Sequence, residues 1–375
     1  MDYDDFLRAK ICSAPRLGFD VGESQVNANM KPHCRAIVPW MLQGGRRALF
    51  TAFGLHKTVM QLEAVRLASE HVGGRGLIVL PLGVRQEFRR DAVERLGWPE
   101  PPKFIRRIED AGDTGVYLTN YETVRDGKLD PRLFQAASLD EASVLRGFGG
   151  TKTFREFMAL FAGDDRRDLS NRVKSDGLRF RFVATATPSP NDYIELLAYA
   201  AFLGIMDVPA AKTRFFKRNS EKADALTILP HKEQEFWLWV STWAMFLQKP
   251  SDLGPEYSDE GYNLPPLDVR WQEIKSDHSA AGSEKDGQGR LFANPAIGVQ
   301  DAAREKRGSL AARISKMLEI RSEDPDAHRI LWHDLEDERR EIERAVPSAV
   351  AVYGSQNLDE REQAVLDFSD GKYQE

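Results

Sequence analysis

The 375 residues contain only two cysteines, Cys12 and Cys34. That excludes a disulfide framework and suits a reducing compartment, so the cytoplasm is the expected location. Long apolar runs are also missing. The longest block, Phe236 to Leu247, spans 12 residues, well short of the roughly 20 a spanning helix requires; it predicts a buried helix and no membrane partner. The opening MDYDDFLRAK is acidic and has no apolar signal core. Nor is there a basic excess: 52 Lys and Arg against 58 Asp and Glu leave a net charge of −6. A generally basic nucleic-acid coat is therefore excluded, and any nucleic-acid contact is confined to one face.

What is present centres on Leu49 to Glu63, LFTAFGLHKTVMQLE. A short apolar run leads into Gly54, Leu55 and His56, then Lys57 and Thr58, and then a segment of helical spacing. Strand, tight loop and helix in that order form an anion site, because the free N–H groups of the helix start and the helix dipole both favour negative charge. Lys57 would hold β- and γ-phosphates and Thr58 would bind Mg²⁺. The GxxxxGK[ST] pattern is incomplete, since Thr51 and His56 stand where it has glycines. The other reading is a plain turn before an amphipathic helix.

Further apolar runs follow, each ending in polar residues. Met30 to Gln43 reads as a helix broken or started near Pro39. Leu77 to Pro81 is a continuous run of the kind buried in a parallel sheet, followed by a helix with Arg85 near its start, where ligands of open α/β sheets bind. Val116 to Thr119 precedes Asn120. Leu133 to Leu139 ends in Asp140 and Glu141, and two adjacent carboxylates at a strand end are costly to bury without a counter-charge. Asp140 would hold Mg²⁺ and Glu141 would polarise an attacking water; the alternative is an exposed strand end with a helix cap. Phe180 to Ala184 leads to Thr185 and Thr187, placed to hydrogen-bond those carboxylates. Strand and helix alternate from 46 to 204, the α/β doubly wound pattern.

In order and spacing, GLHKT, VLPLGVRQEF, TNYE, SLDEAS and VATATPSP resemble the P-loop, Ia, Ib, II and III motifs of superfamily 2 helicases, most closely the Snf2-like helicases of bacterial phages and prophages. YGSQNLDEREQAVLDFSDG, Tyr353 to Gly371, resembles a strand, turn and helix of the second lobe. The resemblance implies a P-loop NTPase with two RecA-like lobes, ATP and Mg²⁺ as cofactors, and DNA or RNA as partner. It implies Lys57 on the phosphates, Thr58 and Asp140 on Mg²⁺, Glu141 as the catalytic carboxylate, and Thr185 and Thr187 as the coupling element. Arg85, Thr119 and Asn120 would face nucleic acid.

The sequence departs from that pattern in three ways. His56 replaces the glycine before the P-loop lysine and is expected to crowd the phosphates. The upstream adenine-reading glutamine falls near Cys34. Motifs V and VI, with their arginine finger, are not among these residues, so impaired hydrolysis and a separate polypeptide supplying the rest of lobe 2 are expected; such a finger contributes roughly 10³ to 10⁵ in turnover. The resulting division is a lead-in over 1–45, lobe 1 over 46–204, a helical insertion and linker over 205–308, and a partial lobe 2 over 309–375. In the linker, AKTRFFKRNSEKAD reads either as a nucleic-acid strip or as an exposed helix. RILWH reads as a strand, and the acids after His333 as a helix start. The competing expectation from the same departures is a degenerate, non-hydrolysing binder of DNA or of a protein partner.

Overall fold

A computed structural model describes residues 13–146, 151–165, 173–189, 192–218, 226–274, 303 and 306–375. It separates into two units, Met1–Leu264 and Pro265–Glu375.

In the first unit the short apolar runs become parallel strands. β1 (Arg46–Thr51), β2 (Arg75–Leu80), β3 (Lys103–Phe104), β4 (Gly115–Asn120) and β5 (Ala136–Asp140) enter one sheet. The pairs β6 (Asp164–Asp165) with β7 (Val173–Lys174), and β9 (Phe216–Arg218) with β10 (Leu226–Ile228), are small antiparallel ribbons. β8 (Phe180–Ala184) and β11 (Ala244–Leu247) complete a seven-stranded sheet in the order β11-β1-β8-β5-β2-β4-β3, with every pairing parallel. Side chains alternate between its faces. Leu49, Ile78, Leu80 and Phe182 pack under α1 (Pro32–Gly44), α2 (Lys57–Val72) and α3 (Arg85–Glu94). Phe50, Leu77, Val79 and Val183 pack on the opposite face, against α5 (Lys152–Leu160), α6 (Leu196–Phe202), α7 (Val208–Phe215) and α8 (Glu233–Ser241). A short α4 (Tyr121–Arg125) follows β4. This is the doubly wound α/β fold expected for the first lobe.

Several local expectations are corrected. α1 runs unbroken through Pro39 and starts with Pro32 in its first turn. Full burial of Cys34, Ile37, Val38, Met41 and Leu42 outweighs the roughly 3 kcal/mol an interior proline costs. The block from Phe236 to Leu247 is two elements: α8 ends at Ser241, and Ala244–Leu247 turns into the strand flanking β1. The first unit's sheet therefore draws a strand from beyond residue 204, and α1 within 1–45 belongs to its core. Phe215 and Phe216 are buried in that core, so the basic-aromatic block offers no stacking platform.

The second unit contains α9 (Leu310–Glu323), α10 (Glu336–Ala345) and α11 (Leu358–Ser369) and no strand among its described residues. RILWH, read as a strand, is not assigned as one here. Two backbone bonds tie this unit to its last residues: Arg329 N–H donates to Gln374 O at 2.9 Å and Val350 N–H to Glu375 O at 3.0 Å. Glu338 caps α10 by accepting from the Asp334 and Leu335 N–H groups. No described helix is long and apolar enough to cross a membrane.

Candidate active site

The strand order brings the polar motifs to one rim. β8 lies between β1 and β5, with Ala184 opposite both Leu49 and Asp140. The loop after β1, Asp140 and Glu141 after β5, and Thr185 and Thr187 after β8 thus leave the sheet at its carboxyl edge, where open α/β sheets bind ligands.

The loop from Ala52 to His56 turns through Gly54 at φ 81° and His56 at φ 59° before α2 begins at Lys57. A left-handed histidine costs of order 1–3 kcal/mol that a glycine would not. Its Nδ1 accepts from Arg95 Nη1 at 3.3 Å, and the ring lies 6.2 Å from His33 and 6.1 Å, edge-on, from Tyr262. The ring is thus placed beside Arg95, His33 and Tyr262. Burial and the neighbouring Arg95 charge lower its pKa to about 4, so the ring is neutral. Cys34, at the upstream glutamine's place, is buried with its thiol pushed up to about 12, and its Sγ contacts His33 Nε2 at 3.3 Å. Cys12 lies outside the described residues, and no group of three metal-ligating side chains occurs among those described.

Lys57 donates to the carbonyls of Thr51 and Ala52, both at 3.0 Å, and sits 5.3 Å from the exposed Phe53 ring. Burial lowers its pKa, opposed by the charges of Asp140 and Glu141, which places both acids within electrostatic reach. Thr58 is buried in the first turn of α2. Asp140 takes one hydrogen bond on Oδ1, from Gln61 Nε2 at 2.7 Å, and Gln61 in turn accepts from Ser138 Oγ at 2.7 Å. Burial raises the Asp140 pKa to about 6, against the Gln61 bond and the Lys57 charge and with the Glu141 charge. A carboxylate kept costly in this way fits a cation beside it. The Asp140 carbonyl accepts from Tyr121 Oη at 2.6 Å.

Glu141 is also left-handed, at φ 50°. Its Oε1 accepts from Thr185 Oγ1 at 2.8 Å and lies 3.5 Å from Thr187 Oγ1, while Thr187 N–H donates back to Thr185 Oγ1 at 3.1 Å. Arg146 reaches the Thr187 carbonyl at 3.5 Å and Glu195 at 3.9 Å. Sequence reasoning missed Gln61, Ser138, Tyr121 and Arg146.

The residues expected to face nucleic acid are less uniform. Arg85 opens α3 with its guanidinium 5.2 Å from the Phe104 ring. Thr119 is fully buried and donates to Ile105 O at 2.9 Å, so its side chain faces the strand beside it and not a ligand. Asn120 is buried too, donating to Glu122 and accepting from Thr123.

No known family profile matches the chain, and no curated protein does. Among solved structures it is similar to the Sulfolobus solfataricus SWI2/SNF2 ATPase core in complex with dsDNA, at 17% identity over 63% of this chain and 48% of that one, TM-score 0.47. It is also similar to the Sulfolobus solfataricus SWI2/SNF2 ATPase core domain, at 16% identity over 94% and 78%, TM-score 0.45. A third is the UvsW helicase from bacteriophage T4, at 15% identity over 55% and 65%, TM-score 0.34. The chain spans about half the length of the first of these, 48%.

Proposed function

We propose that this chain is the core of an ATP-dependent DNA helicase or translocase that binds Mg·ATP at the rim of its first unit. The observation carrying this reading is that the ends of β1, β8 and β5 lie side by side, with Lys57 bonded to the end of β1, Asp140 ending β5 and Thr185 bonded to Glu141. Lys57, Thr58 and the free N–H groups of the α2 start would hold phosphate oxygens. Thr58 and Asp140 would hold Mg²⁺, which supplies charge neutralisation on the transferring phosphoryl group. Asp140 fits that role because its second oxygen has no partner among the described residues. Glu141 would orient water for attack on the γ-phosphorus and accept its proton as the bond to the ADP oxygen breaks. Arg85 and Asn120 are the remaining candidates for DNA, or RNA, contact.

A second reading, a non-hydrolysing binder of DNA or of a partner, is favoured by the left-handed His56 and by Lys57 being bound to its own loop carbonyls. The second unit holds a cleft of about 400 Å³ lined by Leu331, Trp332, Val350, Val352 and Phe368. Titration with a fluorescent ATP analogue and DNA-stimulated phosphate release, on wild type and Lys57→Ala, test the proposal. Equal nucleotide affinity in the two proteins refutes it. Binding without phosphate release, persisting in His56→Gly, selects the second reading.

A further inference from the structure

The segment from Gln248 to Tyr262 forms a strap that is braced internally by its own acids, and Leu253 and Tyr262 pack it on the core. Asp252 accepts from the Gln248 and Lys249 N–H groups, and Asp259 accepts from the Ser251 N–H at 2.8 Å and the Ser251 hydroxyl at 2.7 Å. Lys249 pairs with Asp259 at 3.2 Å. Tyr262 N–H donates to Asp259 O at 3.0 Å. This bracing sets the Tyr262 ring edge-on to His33 at 5.4 Å and to His56 at 6.1 Å, packed against the core under α1 and α2. The Tyr262 hydroxyl is buried without a hydrogen bond among the described residues, so the ring, not the hydroxyl, makes the contact.

His56 is the residue with an unfavourable backbone, and its N-cap position sets where the Lys57 and Thr58 N–H groups point. Within the loop the backbone is held by the Lys57 bonds to the Thr51 and Ala52 carbonyls and by the buried Leu55 side chain, whereas Phe53 is 78% exposed and a side chain at Gly54 would meet nothing within 4 Å. The His56 ring itself is held from outside the loop, by the Arg95 bond to Nδ1 and beside the rings of His33 and Tyr262. Where a glycine would adopt this conformation unaided, a histidine needs the clamp.

We propose that Tyr262 and Arg95 are positioning residues that clamp the His56 ring and so hold the phosphate loop in its anion-binding conformation. The clamp also joins the loop to the strap, whose Tyr262 stands two residues before the end of the first unit at Leu264. Strap and loop then move together, so a phosphate bound at the loop tightens the strap. The importance of the clamp for ligand binding rests on the nucleotide reading above; the clamp itself does not.

Amide hydrogen exchange over residues 53–60 of the free protein tests the clamp without nucleotide. Tyr262→Ala and Arg95→Ala are expected to speed that exchange at least fivefold, Tyr262→Phe to leave it unchanged, and His56→Gly to make it indifferent to Tyr262→Ala. A fluorescent ATP analogue gives the second readout: Tyr262→Ala weakens it fivefold or more in the parent and less than twofold in the His56→Gly background, with the melting temperature as a control for folding. Unchanged loop exchange in Tyr262→Ala, or an equal effect with histidine and glycine at 56, overturns the proposal. Altered exchange without any nucleotide binding by the parent protein leaves the clamp standing and refutes the nucleotide reading alone.

Discussion

The side-chain amide of Gln61 donates to Asp140 Oδ1 at 2.7 Å, joining α2 to the end of β5. Gln61 is completely buried, and its carbonyl takes the hydroxyl of Ser138, also completely buried. Gln61→Ala leaves that hydroxyl without an acceptor and removes the bond that holds the Asp140 pKa down. Chemical denaturation at neutral pH should show a loss of about 1–3 kcal/mol. Titration of Asp140 should move higher still. No loss of stability would mean that water takes Gln61's place.

Asp140 also makes stability depend on pH in a direction opposite to the usual carboxylate. Its folded pKa is raised from 3.8 to about 6, so between those values the folded state holds more proton than the unfolded one. Stability from this group is full below pH 3.8 and falls as pH rises towards 6, by at most about 3 kcal/mol before solvent screening. Asp140→Asn should flatten that slope and stabilise the metal-free protein above pH 6. Mg²⁺ should stabilise the parent above pH 6 and have little effect on Asp140→Asn. Melting temperatures across pH 4 to 8, with and without Mg²⁺, check both.

The boundary of the first unit can be tested by length. β11 covers the outer edge of β1, and Trp243, immediately before it, is completely buried beside Trp239. A polypeptide ending at Leu264 should fold and melt cooperatively. One ending at Gly204 exposes the β1 edge and the apolar surface under α8, so it should aggregate. Equal melting behaviour in the two would show that β11 is dispensable.

The sequence displayed those site residues whose chemistry is local. Gly54, Lys57 and Thr58 sit at one loop and the start of the helix that follows it, and Asp140 and Glu141 end an apolar run where two acids are out of place. Gln61 gave no such sign, because its partner is 79 positions away and only strand order brings them together. Thr119 misled for a related reason: which face of β4 it occupies is set by β3 and Ile105, which its own strand does not reveal. The Phe236 to Leu247 block hid β11 because an uninterrupted apolar stretch has no period to separate helix from strand. In the second unit, Ile330 and Trp332 alternate with less exposed neighbours as a strand's residues would, yet lack the paired neighbours that would make them one.

Thr185 gives the sharpest test of chemistry as distinct from folding. Its hydroxyl donates to Glu141 and accepts from the Thr187 N–H, so one oxygen fixes both the carboxylate and the turn that follows β8. Thr185→Val preserves shape and burial while removing both bonds. The fold should survive with a loss of about 1 kcal/mol, and nucleotide affinity should be unchanged, since neither Lys57 nor Asp140 touches this hydroxyl. Under the proposed function turnover should fall by about 10- to 100-fold, because Glu141, the proposed base, would lose its orientation and with it part of the roughly 10² to 10⁴ such a group supplies. Thr185→Ser, which keeps the oxygen, should restore most of it. If Thr185→Val instead weakens nucleotide binding in proportion to the loss of turnover, the hydroxyl shapes the pocket and Glu141 does not depend on it.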